Sequence, residues 1–241
     1  MAAKLLADAG HDVVLHARNV ARARDAKAAV PNAQDVLIGD VSSQRECRAV
    51  AEDANRLGRF DAVIHNVAVG YREPPVATAD GLPHVFAVNT LAPYVLTCLM
   101  ERPRRLVYLS SGLHRQGDST LKDLLWRERS WDGVQAYADS KLHDTMLAFA
   151  VARRWGDALS NAVEPGWVAT RMGGPSAPDD LEAAPKTQVW LAVSDDAAAR
   201  VTGKYFYHQK ARTPLAAACD AGAQERLLEQ CARLAGIALP Q

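Results

Sequence analysis

Short apolar runs of four to six residues alternate along this chain with longer stretches whose apolar residues recur at helical spacing. That alternation predicts an α/β protein with a doubly wound parallel sheet and helices on both faces, because a parallel neighbour is reached only through a crossover long enough to hold a helix. The strands are expected at Asp12 to Ala17, Asp35 to Gly39, Asp61 to His65, Arg105 to Ser110, Asn161 to Glu164 and Lys204 to Tyr207. Helices are expected near Ser43 to Leu57, Asp80 to Met100, Val134 to Trp155, Pro185 to Val193 and Ala223 to Leu234. The chain opens on a further helix, with Leu5, Leu6 and Ala9 on one face, that closes at Gly10. There is no internal repeat or low-complexity linker, so a single domain over 1–241 is expected. The two long irregular stretches, Gly112 to Gly133 and Gly173 to Ala184, are candidate substrate walls.

Composition narrows the function. Twenty-eight basic residues balance twenty-eight acidic ones, which leaves no global field for nucleic acid or an anionic membrane, so any anion is bound locally. The four cysteines (Cys47, Cys98, Cys219, Cys231) are scattered and are expected as buried thiols. The seven histidines show no metal-binding spacing, and no metal site is expected. Nothing reads as a bilayer span or a signal peptide, so a cytoplasmic protein is the default expectation.

The chemistry-bearing residues sit at element ends. In "YADSK", Tyr137 and Lys141 share one face near the start of a helix, where an ammonium lowers a phenol's pKa and makes Tyr137 a candidate general acid or base. "RRLVYLSSGLH" delivers Ser110 and Ser111 to a strand's C-terminal end, the side on which open α/β sheets bind ligands. "PGWVATRM" turns out of the next strand at Pro165-Gly166 and leads to Thr170, while "FAVNTLAPYVL" sets Asn89 inside an apolar helix where its amide needs a partner. Each motif alone has a plain structural reading: Tyr137 packed on the sheet, Lys141 solvated, the serines as turn formers, Asn89 capping a kink.

In combination and order, these pieces resemble the short-chain dehydrogenase/reductase family, and most of all its retinol-dehydrogenase-like branch. The resemblance runs from the N-terminal helix to "GKYFY". It rests on Asp40-Val41 after one strand, "HNVA" after the next, then Asn89, Ser111, Tyr137, Lys141 and "PGWVAT". It implies a Rossmann-like sheet and an oxidoreductase interconverting a carbonyl and an alcohol. Tyr137 would exchange the proton, Lys141 would hold the nicotinamide ribose, Ser111 would position the carbonyl and Asn89 would hold a relay water. Asn66 and Ala68 would pass the cofactor ribose, Pro165, Gly166, Val168 and Thr170 would grip the carboxamide, and Asp40 with Val41 would meet the adenine. Arg18, with Asn19 beside it in "HARN", stands where an acid would favour NAD(H); a guanidinium there pairs with a 2′-phosphate, so NADP(H) is favoured.

The sequence departs from the family pattern twice. Ala68 adds a Cβ where the family has a glycine. The chain also begins after the point at which the family places a first strand and a glycine-rich loop, so an N-terminally incomplete domain is expected, with an open slot between the strands from Asp12 and Asp61. A misplaced start, a shortened chain or real loss of cofactor binding would each account for it. The alternatives to an enzyme of this kind are a non-catalytic nucleotide-sensing or protein-binding member of the same fold, and a sugar-nucleotide epimerase, against which the short tail after Tyr207 argues. The expected partner is a small carbonyl or alcohol. It is lipophilic if Trp126, Trp131, Trp167 and Met172 line a pocket, and unconstrained if they are ordinary packing. Family members often pair through the helices carrying Asn89 and Tyr137, which allows a homodimer.

Overall fold

The computed structural model describes residues 1–241. In chain order its elements are α1 (Ala2–Asp8), β1 (Val14–Ala17), α2 (Val20–Ala29), β2 (Asp35–Ile38), α3 (Gln44–Arg56), β3 (Ala62–His65), α4 (His84–Phe86) and α5 (Ala92–Leu99). They continue as β4 (Arg105–Leu109), α6 (Gly133–Arg154), β5 (Leu159–Glu164), α7 (Lys186–Val193), β6 (Tyr205–Tyr207), β7 (Lys210–Arg212) and α8 (Ala221–Ala235). Strands β1 and β2 pair in parallel, and β3, β4, β5 and β6 form a second parallel run that ends in antiparallel β7.

The expected slot is present. β1 and β3 do not pair with each other. Residues of both strands line a cavity of about 1020 Å³ that also takes in Leu6 of α1 and Gln188, Ala192 and Val193 of α7. A smaller cavity of about 190 Å³ opens beside it, under Val88, Ala92 and Leu96. The facing edges of two parallel strands carry backbone groups that a sheet would otherwise pair. The 241 residues contain no glycine-rich loop at this place.

Side-chain caps start four of the eight helices. Asn19 accepts from the Arg22 N–H at 2.9 Å and starts α2. Asp132 accepts from Val134 and Gln135 and starts α6, and Asp220 accepts from Ala223 and starts α8. Gly236, at φ 67°, ends α8 in the left-handed region. The main core lies between α3, α5, α6, α8 and the β3–β6 sheet, and every residue from Ala136 to Val151 is buried within the one chain. No helix is long and apolar enough to cross a membrane.

Four expectations need correction. Helix α2 and strand β7 were not anticipated: α2 buries only Ala23, so it has no apolar stripe to read, and the β6–β7 turn is made by His208 and Gln209 at positive φ, without the usual Asn-Gly signal. The helix expected from Asp80 begins at His84, because Thr78 to Leu82 form a turn closed by backbone and Thr78 hydroxyl bonds. In α1, Leu6 and Ala7 are buried while Leu5 and Ala9 are exposed, since this short helix packs on α7 by a narrow edge. Cys219 is exposed on a short 3₁₀ turn, although the other three cysteines are buried.

Candidate active site

The C-terminal ends of β3, β4 and β5 bring the expected site together. Tyr137 and Lys141 lie on the first turns of α6, both buried, with the Lys141 ammonium 5.6 Å from the centre of the Tyr137 ring. Lys141 Nζ donates to the Leu109 carbonyl at 2.7 Å and to Asp144 Oδ2 at 2.8 Å. Burial alone would lower the lysine's pKa, but the Asp144 carboxylate and Tyr137 more than offset this and hold it above its ordinary value. The Tyr137 hydroxyl has no partner within the chain, and the Tyr71 ring lies edge-on to the Tyr137 ring, their centres 6.0 Å apart.

The two serines divide their roles. Ser110 is buried, donates to the Lys141 carbonyl at 2.8 Å and meets the Thr145 hydroxyl at 2.9 Å, so it joins β4 to α6. Ser111 caps the 3₁₀ turn at Gly112–Gln116 by accepting from the Leu113 N–H at 3.3 Å, which leaves its own O–H free to donate. His114 fixes the same turn. Its Nδ1 meets the Ser111 carbonyl at 2.7 Å, and its Nε2 accepts from the Leu215 N–H at 3.1 Å.

Asn89 is wholly buried, and its amide is engaged inside the chain. Its Oδ1 accepts from the Val69 N–H at 2.8 Å, while Nδ2 donates to the Val69 carbonyl and the Ser140 hydroxyl, each at 3.0 Å. The cause lies four residues on. Pro93 has no N–H for the Asn89 carbonyl, and the chain takes a π-turn over Ala87–Leu91. The Asn89 side chain therefore anchors the segment after β3.

The cofactor candidates fall into two groups. Asn66, Pro165, Val168 and Thr170 all line the large cavity, with Gly166 in its turn at φ 91°. Ala68 is half-buried between Asn66 and the Val69 anchor. The second group lies beyond β1 and β2. Arg18 is exposed and makes no ion pair, Asn19 is spent on capping α2, and Val41 is buried in the core. Burial would raise the Asp40 carboxyl, but the Ser42 N–H and hydroxyl, with His84 and Arg18, hold it below its usual range.

Of the aromatic candidates, Trp126 and Trp131 pack tilted against each other with ring centres 5.1 Å apart, the Arg129 guanidinium lies 3.7 Å from the centre of the Trp126 ring, and both so serve as packing of the Gly112 to Gly133 segment. Trp167 is 53 % exposed and tied by its Nε1 to the Gly173 carbonyl at 2.9 Å. Met172 packs on Gly70, where an added Cβ would come within 2.9 Å. Asp144 and Tyr71 belong to the site and were missed by the sequence. Asp144 carried the one readable signal, its place three residues after Lys141.

A parallel sheet with a buried Tyr–Lys pair and a free serine hydroxyl at its C-terminal edge defines an NAD(P)-dependent oxidoreductase of the Rossmann-like class. Comparison with known proteins agrees. A family model described as Enoyl-(Acyl carrier protein) reductase matches residues 1–199. An uncharacterized oxidoreductase of Emericella nidulans is 44 % identical, over 99 % of this chain and 93 % of the relative. A short-chain dehydrogenase of Penicillium rubens is 42 % identical over the same shares. Human retinol dehydrogenase 13 is 31 % identical over 98 % of this chain and 80 % of its own. Among solved structures, an uncharacterized protein of Mycobacterium paratuberculosis superposes with a TM-score of 0.79 at 23 % identity, covering 100 % of this chain and 90 % of the other. A metagenomic blue fluorescent protein in complex with NADPH gives 0.66 at 21 % identity, covering 85 % and 90 %. The chain belongs to the short-chain dehydrogenase/reductase family.

Proposed function

We propose that this chain interconverts a carbonyl and an alcohol with NADP(H), using Tyr137 as general acid and base. The observation that carries the reading is the unpartnered Tyr137 hydroxyl beside the Lys141 ammonium, at the strand ends that also present Ser111. The nicotinamide, when bound, supplies or accepts the hydride. In reduction the Ser111 O–H donates to the carbonyl oxygen, and the Tyr137 O–H passes its proton to that oxygen as the C=O bond becomes C–O–H. In oxidation the phenolate takes the proton back. The Lys141 charge favours that phenolate, and the π-turn with Asn89 holds the wall after β3 in place.

The residues present suit a nicotinamide dinucleotide at both ends. Asn66, Pro165, Val168 and Thr170 would hold the nicotinamide half, and Arg18 with Asp40 the adenine half. The Arg18 side chain, exposed and without an ion pair, is available to a 2′-phosphate and favours NADP(H) over NAD(H). The protein acts as a single domain, and its four unpaired thiols suit a reducing, cytoplasmic setting. A relative named for the dehydrogenation of retinol supports an alcohol or carbonyl substrate, and exposed Trp167 with Met172 gives it an apolar wall.

Titration with NADPH and with NADH, followed by nucleotide fluorescence beside a thermal melt, tests the cofactor reading. Tighter binding of NADPH is expected, and Arg18→Ala should weaken NADPH at least about tenfold while leaving NADH nearly unchanged. Equal losses for both nucleotides would remove Arg18 from phosphate recognition. Binding of NADPH by a chain with no turnover of any carbonyl would favour the nucleotide-sensing alternative.

A further inference from the structure

The helix that carries Tyr137 and Lys141 carries a third polar group on the same buried face. Asp144 lies seven residues after Tyr137 and three after Lys141, and the Lys141 and Asp144 side chains are 3 % and 4 % exposed. The lysine is gripped at both ends: its ammonium by Asp144 at 2.8 Å and the Leu109 carbonyl at 2.7 Å, its own backbone carbonyl by Ser110 at 2.8 Å. Such a pair is a poor device for stability alone. Desolvation consumes most of the attraction, and apolar side chains of similar size would pack there as well.

We propose that Asp144 is a positioning residue of this active site: it holds the Lys141 ammonium against the end of β4 and offsets its charge, and so sets how strongly Lys141 draws the proton from Tyr137. The proposal rests on the reading of Tyr137 as acid and base. A lone ammonium beside a phenol favours the phenolate. An ammonium with a carboxylate 2.8 Å away acts as a dipole, whose field at the phenol is weaker and falls off faster.

The groups facing Asp144 support this balance. From its own helix this is Lys141, which Tyr137 faces in turn. From β4 comes Tyr108, kept protonated by burial first and by Asp144 among lesser causes. Behind Tyr108 lie His65 of β3, ring centres 4.7 Å apart and pushed down to about 4 by burial, and Cys98 of α5, pushed up to about 12 by burial. Lys141 is the one cation among them. Burial raises Asp144 to about 6 against the pull of Lys141, so the carboxylate balances the ammonium above that pH and releases it below.

The test reads the Tyr137 phenol directly by ultraviolet difference titration, each protein against the same protein carrying Tyr137→Phe, with no cofactor or turnover required. Asp144→Asn should move the Tyr137 midpoint by about one unit, a tenfold change in proton affinity: to lower pH while Lys141 keeps its proton, and to higher pH if burial then strips it. The phenol-dependent limb of the turnover profile should move with it, and Asp144→Glu should keep the original midpoint. Unchanged midpoints in a cooperatively melting Asp144→Asn protein would overturn the proposal. If that variant does not fold, Lys141→Met/Asp144→Leu replaces the pair with apolar side chains. A carboxylate that weakens the pull of the lysine predicts a smaller rise of the midpoint in this double variant than in Lys141→Met alone, and equal rises would contradict it. Failure of the acid–base reading shows separately, as turnover that survives Tyr137→Phe.

Discussion

At the residue scale, much of the site was legible because its chemistry depends on local spacing. Tyr137 and Lys141 share a helix face by virtue of being four apart, and Ser111 ends a strand wherever that strand is placed. Asn89 was legible as a buried amide in need of partners, but its partners were not, since Val69 and Ser140 reach it only through tertiary packing. Nor did the sequence separate Ser110 from Ser111: the difference lies in which hydroxyl faces α6. Asn89→Ala should leave the Val69 N–H and carbonyl without their side-chain partners and cost about 1–3 kcal/mol, measured by urea denaturation. A loss within error would mean that the segment after β3 is held by other contacts.

At the element scale, the strands were read nearly to the residue, because short apolar runs bounded by turns leave little freedom. Elements without an apolar pattern were not, and α2 stands on an asparagine cap and alanine-rich composition alone. Helix α8 bears on the partner question. It packs on α6, and its tail is fixed by the Tyr94 hydroxyl to the Ile237 carbonyl at 2.8 Å and by Trp155 Nε1 to the Pro240 carbonyl at 2.8 Å. The helices carrying Asn89 and Tyr137 consequently have no bare apolar face to offer a second copy. Light scattering after size exclusion should report a monomer of about 26.1 kDa, and a stable dimer would show that another surface pairs.

At the scale of the whole molecule, the slot between β1 and β3 was foreseeable from the family resemblance, which places a strand between them, whereas the ionisation of the core was not. His65 and His143 are fully enclosed, and burial pushes both from 6.5 down to about 4. Between those values the unfolded chain binds more protons than the folded one, so their contribution is complete above about 6.5 and is lost on acidification, with a slope of about 1.4 kcal/mol per pH unit for each histidine. Asp144, raised from 3.8 to about 6, has the opposite sign and offsets one of the two. His16 and His114, also lowered by burial, add to the loss. Urea midpoints should accordingly fall between pH 7 and pH 5, and a flat profile would mean that one or both of the enclosed histidines admit a proton in the folded state.

The central claim is that a phenol on α6 moves the proton while a nicotinamide moves the hydride. Turnover of NADPH across a panel of ketones and aldehydes, by the chain and by its Tyr137→Phe variant, tests that most directly. The account predicts turnover by the chain, and a loss of about a hundredfold or more in the variant with nucleotide binding and melting unchanged. Equal turnover by both proteins would contradict it.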